Sequence, residues 1–316
     1  MATPSSLSDQ SDQIPSVLPS LTDATITRVQ EGLAAARSPQ VIAMIEQALN
    51  RAEAVGLGQP FPYWSGSFRR FVIRCLIRIL FKIKVENLDL LPNQPAILAA
   101  NHLSHIDPFL LLSEIPSNPY YYILGDARSL YNKAWKRYLL KKAGGTIPIQ
   151  RIWKEELAVI QAAKAGRISL KTLADDIEQD ISTGTSVQAL RRLDRIVQGL
   201  LQQQYGLIIF PEGRLGSQEG KLCLPLKRGT MIYALRSGIP IVPVGIIGTN
   251  NLYFRKELTI RFGQPLIFPL THRPKPQEIR TASEVLQQAM VDLLPPDYRE
   301  PDEIKLLSHF LNHMLW

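Results

Sequence analysis

Cysteine is scarce: Cys75 and Cys223 are the only two in a chain of 316 residues. Two thiols cannot build a disulfide framework, which points to a reducing compartment. Histidine is nearly as rare, with five residues. No His-Glu-x-x-His pattern occurs, so no resident metal is expected. Uncharged apolar runs are short, and none approaches the roughly 18 residues that span a bilayer. The start, Met1 to about Pro19, is rich in Ser, Asp, Gln and Pro and has no basic stretch leading into an apolar one. It does not read as a signal peptide, and disorder is expected over 1–20. Nucleic-acid motifs are also missing: no zinc knuckle, no aromatic ribonucleoprotein motif, no helix-turn-helix signature. The net charge of +8 and pI near 9.5 therefore point to an anionic membrane surface or to phosphate-bearing substrates.

The chemistry concentrates in Asn101-His-Leu-Ser-His-Ile-Asp-Pro108. The run before it, Pro95 to Ala100, is short and apolar and reads as a buried strand. The run after it, Phe109 to Leu112, reads as a helix, with Asp107 suited to its N-cap and Pro108 to its first position. A polar octet between strand and helix occupies the usual place for a site in an open α/β sheet. His102 and Asp107 stand five residues apart. A carboxylate on one ring nitrogen fixes the tautomer and leaves the other nitrogen as a base near neutral pH. Ser104 has no nucleophile-elbow pattern, so the base is expected to activate a substrate hydroxyl.

Two helices are expected in 21–58, at Thr22–Arg37 and from Pro39, as a hairpin docked on the core. Phe68–Val85 carries Arg70, Arg74, Arg78 and Lys82 at four-residue intervals among apolar residues. On a helix these cations form one stripe, which suits a helix lying flat at a membrane surface. A core helix with one solvated basic edge is the alternative. Further strands are expected at Tyr120–Leu124, Leu207–Phe210, Ile239–Val244 and Leu258–Phe262. The prolines of Ile239–Val244 favour a sheet edge or a strand start over a central strand. Helices are expected at Trp135–Ala143, Glu155–Ala165, Leu170–Ile181, Val187–Gln204, Lys227–Ser237, Glu278–Leu294 and Pro301–Trp316.

Four stretches in order carry a resemblance. Asn101-His-x-x-x-x-Asp107, Gly145-Thr-Ile-Pro-Ile-Gln-Arg151, Phe210-Pro-Glu-Gly213 and Ile239-Pro-Ile-Val-Pro-Val244 resemble the motifs of the glycerophospholipid acyltransferases, the family of lysophosphatidate acyltransferase. The resemblance implies an α/β fold with a mixed sheet flanked by helices. The acyltransferase domain would cover 65–272, with an insertion at about 164–185 and C-terminal helices over 273–316. It implies that His102, oriented by Asp107, deprotonates the free hydroxyl of a lysophospholipid acceptor, 1-acyl-glycerol 3-phosphate, which attacks an acyl thioester. Acyl-CoA or acyl-carrier protein is the co-substrate, and no cofactor or metal is needed. Asn101, Arg151, Glu212, Gly213, Arg214 and Lys227 are the implied substrate-binding residues, with Arg151 on the acceptor's phosphate. Glu212 has two roles open to it, bonding the glycerol or anchoring neighbouring loops. After Phe-Pro-Glu-Gly the family continues Thr-Arg-Ser, whereas this chain reads Arg214-Leu-Gly-Ser217. The displaced arginine keeps another acceptor open: glycerol 3-phosphate, another lysophospholipid or an amino-acid lipid. A non-catalytic membrane-binding protein with this fold is the alternative of a different class. The expected location is the cytoplasmic face of a membrane, peripheral or monotopic.

Overall fold

The computed structural model describes residues 18–60, 63–150, 152–181 and 187–315. The expectations for Met1 to Val17 and for Arg151 lie outside the described residues.

Short apolar runs make the centre of the molecule. β2 (Ile97–Ala100) and β5 (Gly206–Ile209) are buried at every position. Together with β1 (Lys82–Glu86), β3 (Tyr121–Asp126), β4 (Thr146–Ile149), β6 (Ile241–Ile247) and β7 (Glu257–Phe262) they form one sheet in the order β1-β7-β6-β2-β5-β3-β4. Every pairing is parallel except β6 with β7. Side chains alternate between faces as the two-residue period requires. Ile97 and Ala99 enter one core, while Leu98 and Ala100 enter the other. α2 (Pro39–Gly56), α9 (Val187–Gln202), α10 (Gly229–Ser237) and α11 (Pro276–Val291) cover the first face. The second face lies under α3 (Gly66–Leu80) and α4 (Asp107–Glu114). α2 and α9 cross where two glycines meet: a Cβ on Gly199 would stand 2.9 Å from the Gly56 carbonyl oxygen.

β6 is an interior strand and not an edge; of its two prolines Pro240 stands just before the strand start, while Pro243 lies within it. Its ladder absorbs Pro243 by parity. Ile97 N–H donates to Pro240 O on one side of β6, and Ile241 N–H donates to Leu266 O on the other. The nitrogen of Pro243 points to that second side, where β7 has ended at Phe262 and Gly263 N–H takes the proline's carbonyl.

The basic segment is also corrected. The helix runs over Gly66–Leu80, opened by Ser65, whose hydroxyl accepts from Phe68 N–H. Lys82 lies beyond it on β1, an edge strand parallel to β7. Lys-Ile-Lys-Val-Glu alternates polar and apolar residues, the strand period, and that local pattern overrides the four-residue spacing of the cations. Arg70, Arg74 and Arg78 do not face outward as a free stripe. Arg74 and Arg78 turn to the carboxylate of buried Glu114 at the end of α4, which Arg78 grips with two bonds of 2.8 and 3.0 Å, and Arg70 donates to the Glu114 main-chain carbonyl. Ile77 and Phe81 are core residues. The outward apolar side chains of α3 are Phe68, Phe71, Leu76 and Ile79.

The expected C-terminal helix over Pro301–Trp316 shrinks to α12 (Ser308–His313). Leu307 adopts φ +58°, which a helix cannot continue through, and the Leu306 carbonyl is taken by Phe254 N–H. The remaining helices are α1 (Asp23–Arg37), α5 (Ala127–Tyr131), α6 (Ala134–Ala143), α7 (Lys154–Lys164) and α8 (Lys171–Ile181). Among the described residues no helix is long and apolar enough to cross a membrane.

Candidate active site

The three adjacent interior strands β6, β2 and β5 end on the same side of the sheet, and the site is built from the residues just beyond their ends. β2 runs into Asn101 and His102. Asn101 is buried, and its amide imitates a strand residue: Nδ2 donates to Ile246 O at 2.8 Å and Oδ1 accepts from Ile246 N–H at 2.6 Å. Each end makes one bond that ties β2 to β6, a framework role for a residue expected at the substrate.

His102 comes next, with its side chain 14% exposed. Its Nδ1 stands 2.9 Å from Asp107 Oδ2, and the same oxygen accepts from Leu103 N–H and Ser104 N–H at 2.8 and 2.9 Å. Three donors on one oxygen lock the turn, with Asp107 as the first residue of α4 and Ile106 as its N-cap. A carboxylate only accepts, so Nδ1 carries the proton and Nε2 is left as the unprotonated ring nitrogen, able to accept one. The ring lies flat on Phe210, centroids 4.1 Å apart at 24°. Its plane is therefore set by a carboxylate at one edge and an aromatic face below.

β5 runs into Phe210-Pro-Glu-Gly213. Glu212 is 2% exposed. Its Oε1 accepts from His102 N–H at 2.8 Å and its Oε2 from Cys223 N–H at 2.6 Å. The His102 carbonyl is held in turn by Gly216 N–H at 2.7 Å. The backbone of His102 is gripped on both sides by the loop after β5. Of the two roles open to Glu212, the geometry selects the loop anchor. Burial pushes this carboxyl up to about 7, against the two amides that favour its charge. The same loop sends Glu219 to Asn250 N–H, 2.8 Å away and beyond the end of β6. One loop thus stitches the ends of all three strands.

Gly213 turns with φ +64°, and a Cβ there would stand 2.9 Å from Lys227 Cγ. Lys227 lays its stem along the turn and its N–H donates to Pro211 O. Arg214 Nε points to Cys223 Sγ at 2.6 Å and Nη2 to Leu224 O at 3.1 Å. The structure therefore brings His102, Asp107, Glu212, Gly213, Arg214 and Lys227 together. β4 lies three strands from β2, about 14 Å at ordinary strand spacing; Arg151 lies outside the described residues. Phe210, Gly216 and Glu219 were missed as site residues. Phe210 was visible inside the Phe-Pro-Glu-Gly motif but read only as a strand end. Among the described residues no cluster of His, Cys, Asp and Glu could hold a metal ion.

With this geometry in place, comparison with known proteins identifies the relatives. A family model described as Acyltransferase matches residues 82–247, just over half of the chain. The chain belongs to the acyltransferase family. It is similar to a 1-acyl-sn-glycerol-3-phosphate acyltransferase of Limnanthes douglasii, with 34% identity over 117 residues, covering 35% of this chain and 40% of that protein. It is also similar to the 1-acyl-sn-glycerol-3-phosphate acyltransferase alpha of Homo sapiens, at 26% identity over 212 residues, 66% of this chain and 61% of that one. The chain thus matches less than two thirds of the length of either relative. Among solved structures it resembles the 1-acyl-sn-glycerophosphate acyltransferase PlsC of Thermotoga maritima, with TM-score 0.41 and 17% identity, covering 84% of this chain and 97% of that one.

Proposed function

We propose that this acyltransferase moves a fatty acyl group from an acyl thioester, acyl-CoA or acyl-carrier protein, to the free hydroxyl of 1-acyl-glycerol 3-phosphate. The observation that carries the reading is the His102–Asp107 pair, 2.9 Å apart at the end of an interior strand, in a chain of this family. His102 Nε2 takes the proton as the hydroxyl oxygen attacks the thioester carbonyl. The C–S bond then breaks, and the imidazolium returns the proton to the departing thiolate. General-base assistance of this kind is worth roughly 10²–10⁴-fold. Arg214 and Lys227 offer positive charge beside the turn after β5, and Arg151 is the further candidate for the acceptor's phosphate. The relatives' names support the choice of acceptor.

A second acceptor is favoured by one observation. The arginine displaced after Phe-Pro-Glu-Gly spends two of its donors on Cys223 and Leu224, so a headgroup other than a bare phosphate fits the same chemistry. The working surface of the reading is an anionic membrane, met by the apolar side chains Phe68, Phe71, Leu76 and Ile79 of α3 and not by its arginines.

The test is acyl transfer by the purified chain from one labelled thioester to a panel of acceptors. Turnover should be highest with 1-acyl-glycerol 3-phosphate and absent in His102→Ala, with the melting temperature little changed. Activity in that variant above a tenth of the original would remove His102 as the base. Preference for another acceptor would move the substrate and leave the mechanism standing.

A further inference from the structure

A second cationic feature lies far from His102. The end of α2, the loop at Tyr63–Trp64 and the end of α6 enclose an open cleft of about 400 Å³ lined by Arg51, Tyr63, Trp64, Lys141 and Lys142. Lys141 and Lys142 are exposed, and Arg51 stands over the Tyr63 ring, 5.9 Å from its centroid. None of these three cations has a carboxylate partner among the described residues. The acids of α2, Glu46 and Glu53, are turned away to Arg192 on α9.

A fourth cation lies beneath. Arg69 is 6% exposed, with its Nη2 on the Tyr121 carbonyl and its guanidinium 3.6 Å from the Tyr120 ring centroid. Its Nη1 is buried with no hydrogen-bond partner among the described residues. Tyr63 and Arg69 cover successive residues, since a Cβ on Gly144 would strike the Tyr63 ring and one on Gly145 would strike Arg69 Nη1. The cleft therefore has cations on its walls and two aromatic rings, and a buried cation with one unpartnered nitrogen sits one residue along from the Tyr63 contact. A buried cation without a counter-charge is costly unless an anion comes near.

We infer that this cleft is a phosphoryl-binding site separate from the reaction site. Its chemistry suits a phosphate ester beside apolar groups, with the lysines as point charges and Arg51 as the fork. The headgroup phosphate of a membrane lipid and free phosphate share that chemistry. Apolar and aromatic side chains surround the cleft on the lipid-facing reading: Phe68, edge-on to Trp64, and Trp135, Tyr138 and Leu139 of α6, all exposed. The acceptor being acylated cannot use it. The sheet register sets Thr146 level with Leu98 across β3 and β5. Gly144 and His102 are thus separated by three strands, about 14 Å, and by six residues of rise, about 20 Å. A glycerol phosphate bridges neither gap. The inference does not depend on which acceptor is acylated.

The test compares the full chain with Arg51→Gln/Lys141→Gln/Lys142→Gln and with a charge-matched control, Arg167→Gln/Lys171→Gln/Lys275→Gln. One arm is cosedimentation with vesicles of phosphatidylcholine and phosphatidylglycerol. The other is thermal melting in potassium phosphate against potassium chloride at equal ionic strength. If a lipid headgroup fills the cleft, the cleft variant loses about tenfold or more in vesicle binding and the control far less. If free phosphate fills it, phosphate raises the melting temperature of the native chain but not of the cleft variant, by mass action, and both variants bind vesicles alike. The cleft variant matching the control in both arms overturns the inference, whether or not the native chain binds vesicles. The altered side chains are at the surface, and Lys142→Gln alone should shift the same arm by a smaller factor. Turnover of a soluble short-chain acceptor should stay within twofold in every variant, so a failed site leaves the catalytic reading untouched.

Discussion

Glu212→Gln separates the anchoring role of this carboxylate from any contact with substrate. Glu212 accepts two backbone N–H groups, one on each oxygen. A glutamine has one acceptor oxygen, and its amide nitrogen would meet an N–H head on. One of the two amides, His102 or Cys223, is left without a partner, at a cost of roughly 1–3 kcal/mol. Against this stands the charge. Burial raises the Glu212 carboxyl from 4.5 to about 7, so ionising it in the fold costs about 3 kcal/mol more than in the unfolded chain. A carboxyl raised in the folded state favours folding fully below its unfolded pKa, and that advantage is lost as pH rises through the folded one. Glutamine never ionises. The variant should therefore be the less stable protein at pH 5, by roughly 1–3 kcal/mol. The gap should close, and even reverse, between pH 5 and pH 8. Denaturant unfolding of both proteins across this range measures it, and other titrations cancel in the difference. If His102 acts as proposed, turnover should fall at least about tenfold at every pH, because its backbone has lost its grip and small misplacements are costly. A stability difference that does not move with pH would refute the raised carboxyl. A raised KM for the acceptor with unchanged kcat would place Glu212 on the substrate after all.

Asp107→Asn should lower kcat by roughly 10²–10⁴-fold with little change in KM, through loss of the fixed tautomer; steady-state rates within a few-fold of the original would refute the pair. Asn101→Ala leaves both the N–H and the carbonyl of Ile246 unpaired in a buried place, and should cost roughly 2–4 kcal/mol in chemical denaturation. An unchanged midpoint with a raised acceptor KM would return Asn101 to the substrate. Arg78→Glu removes the better of the partners of buried Glu114 and should destabilise by roughly 2–3 kcal/mol, less than a fully buried pair because Arg78 is half exposed. Unchanged stability with lost vesicle binding would restore the arginines to the membrane.

What the sequence showed depended on distance along the chain. His102 and Asp107 are five residues apart on one turn, so their relation is local and was legible. The strands around them were legible as short apolar runs bounded by prolines and polar residues. The hold on His102 was not, because Glu212 lies 110 residues away and Asn101 meets Ile246 at a separation of 145. Nothing local distinguishes a glutamate that anchors a loop from one that binds glycerol, since both need a carboxylate after a strand. The cation spacing of Arg70, Arg74, Arg78 and Lys82 misled for a related reason. A charge stripe reads as solvent-facing, yet one buried acid, Glu114, pairs with Arg74 and Arg78, and its backbone carbonyl accepts from Arg70. Lys82 belongs to a strand whose alternation was present in Lys82–Glu86 all along.

The N-terminal helices and the insertion gave no sign of a role when read separately, and the fold shows why. α1 packs on α7 and α8, with Val29 among Val159, Ile160, Leu170, Ala174 and Ile177. Arg37 bonds both Asp176 and Asp180 from across that contact, and Arg28 bonds Glu155. Each segment therefore supplies the partner that the other's apolar face requires. The pair is also tied to the sheet, since buried Glu156 of α7 holds Arg128, whose guanidinium lies 4.1 Å from the Trp153 ring centroid. Trp153 Nε1 in turn donates to Asp126 at the end of β3. An amphipathic helix with no visible partner in its own stretch of sequence is a request for one elsewhere. Here two such requests, more than a hundred residues apart, answer each other.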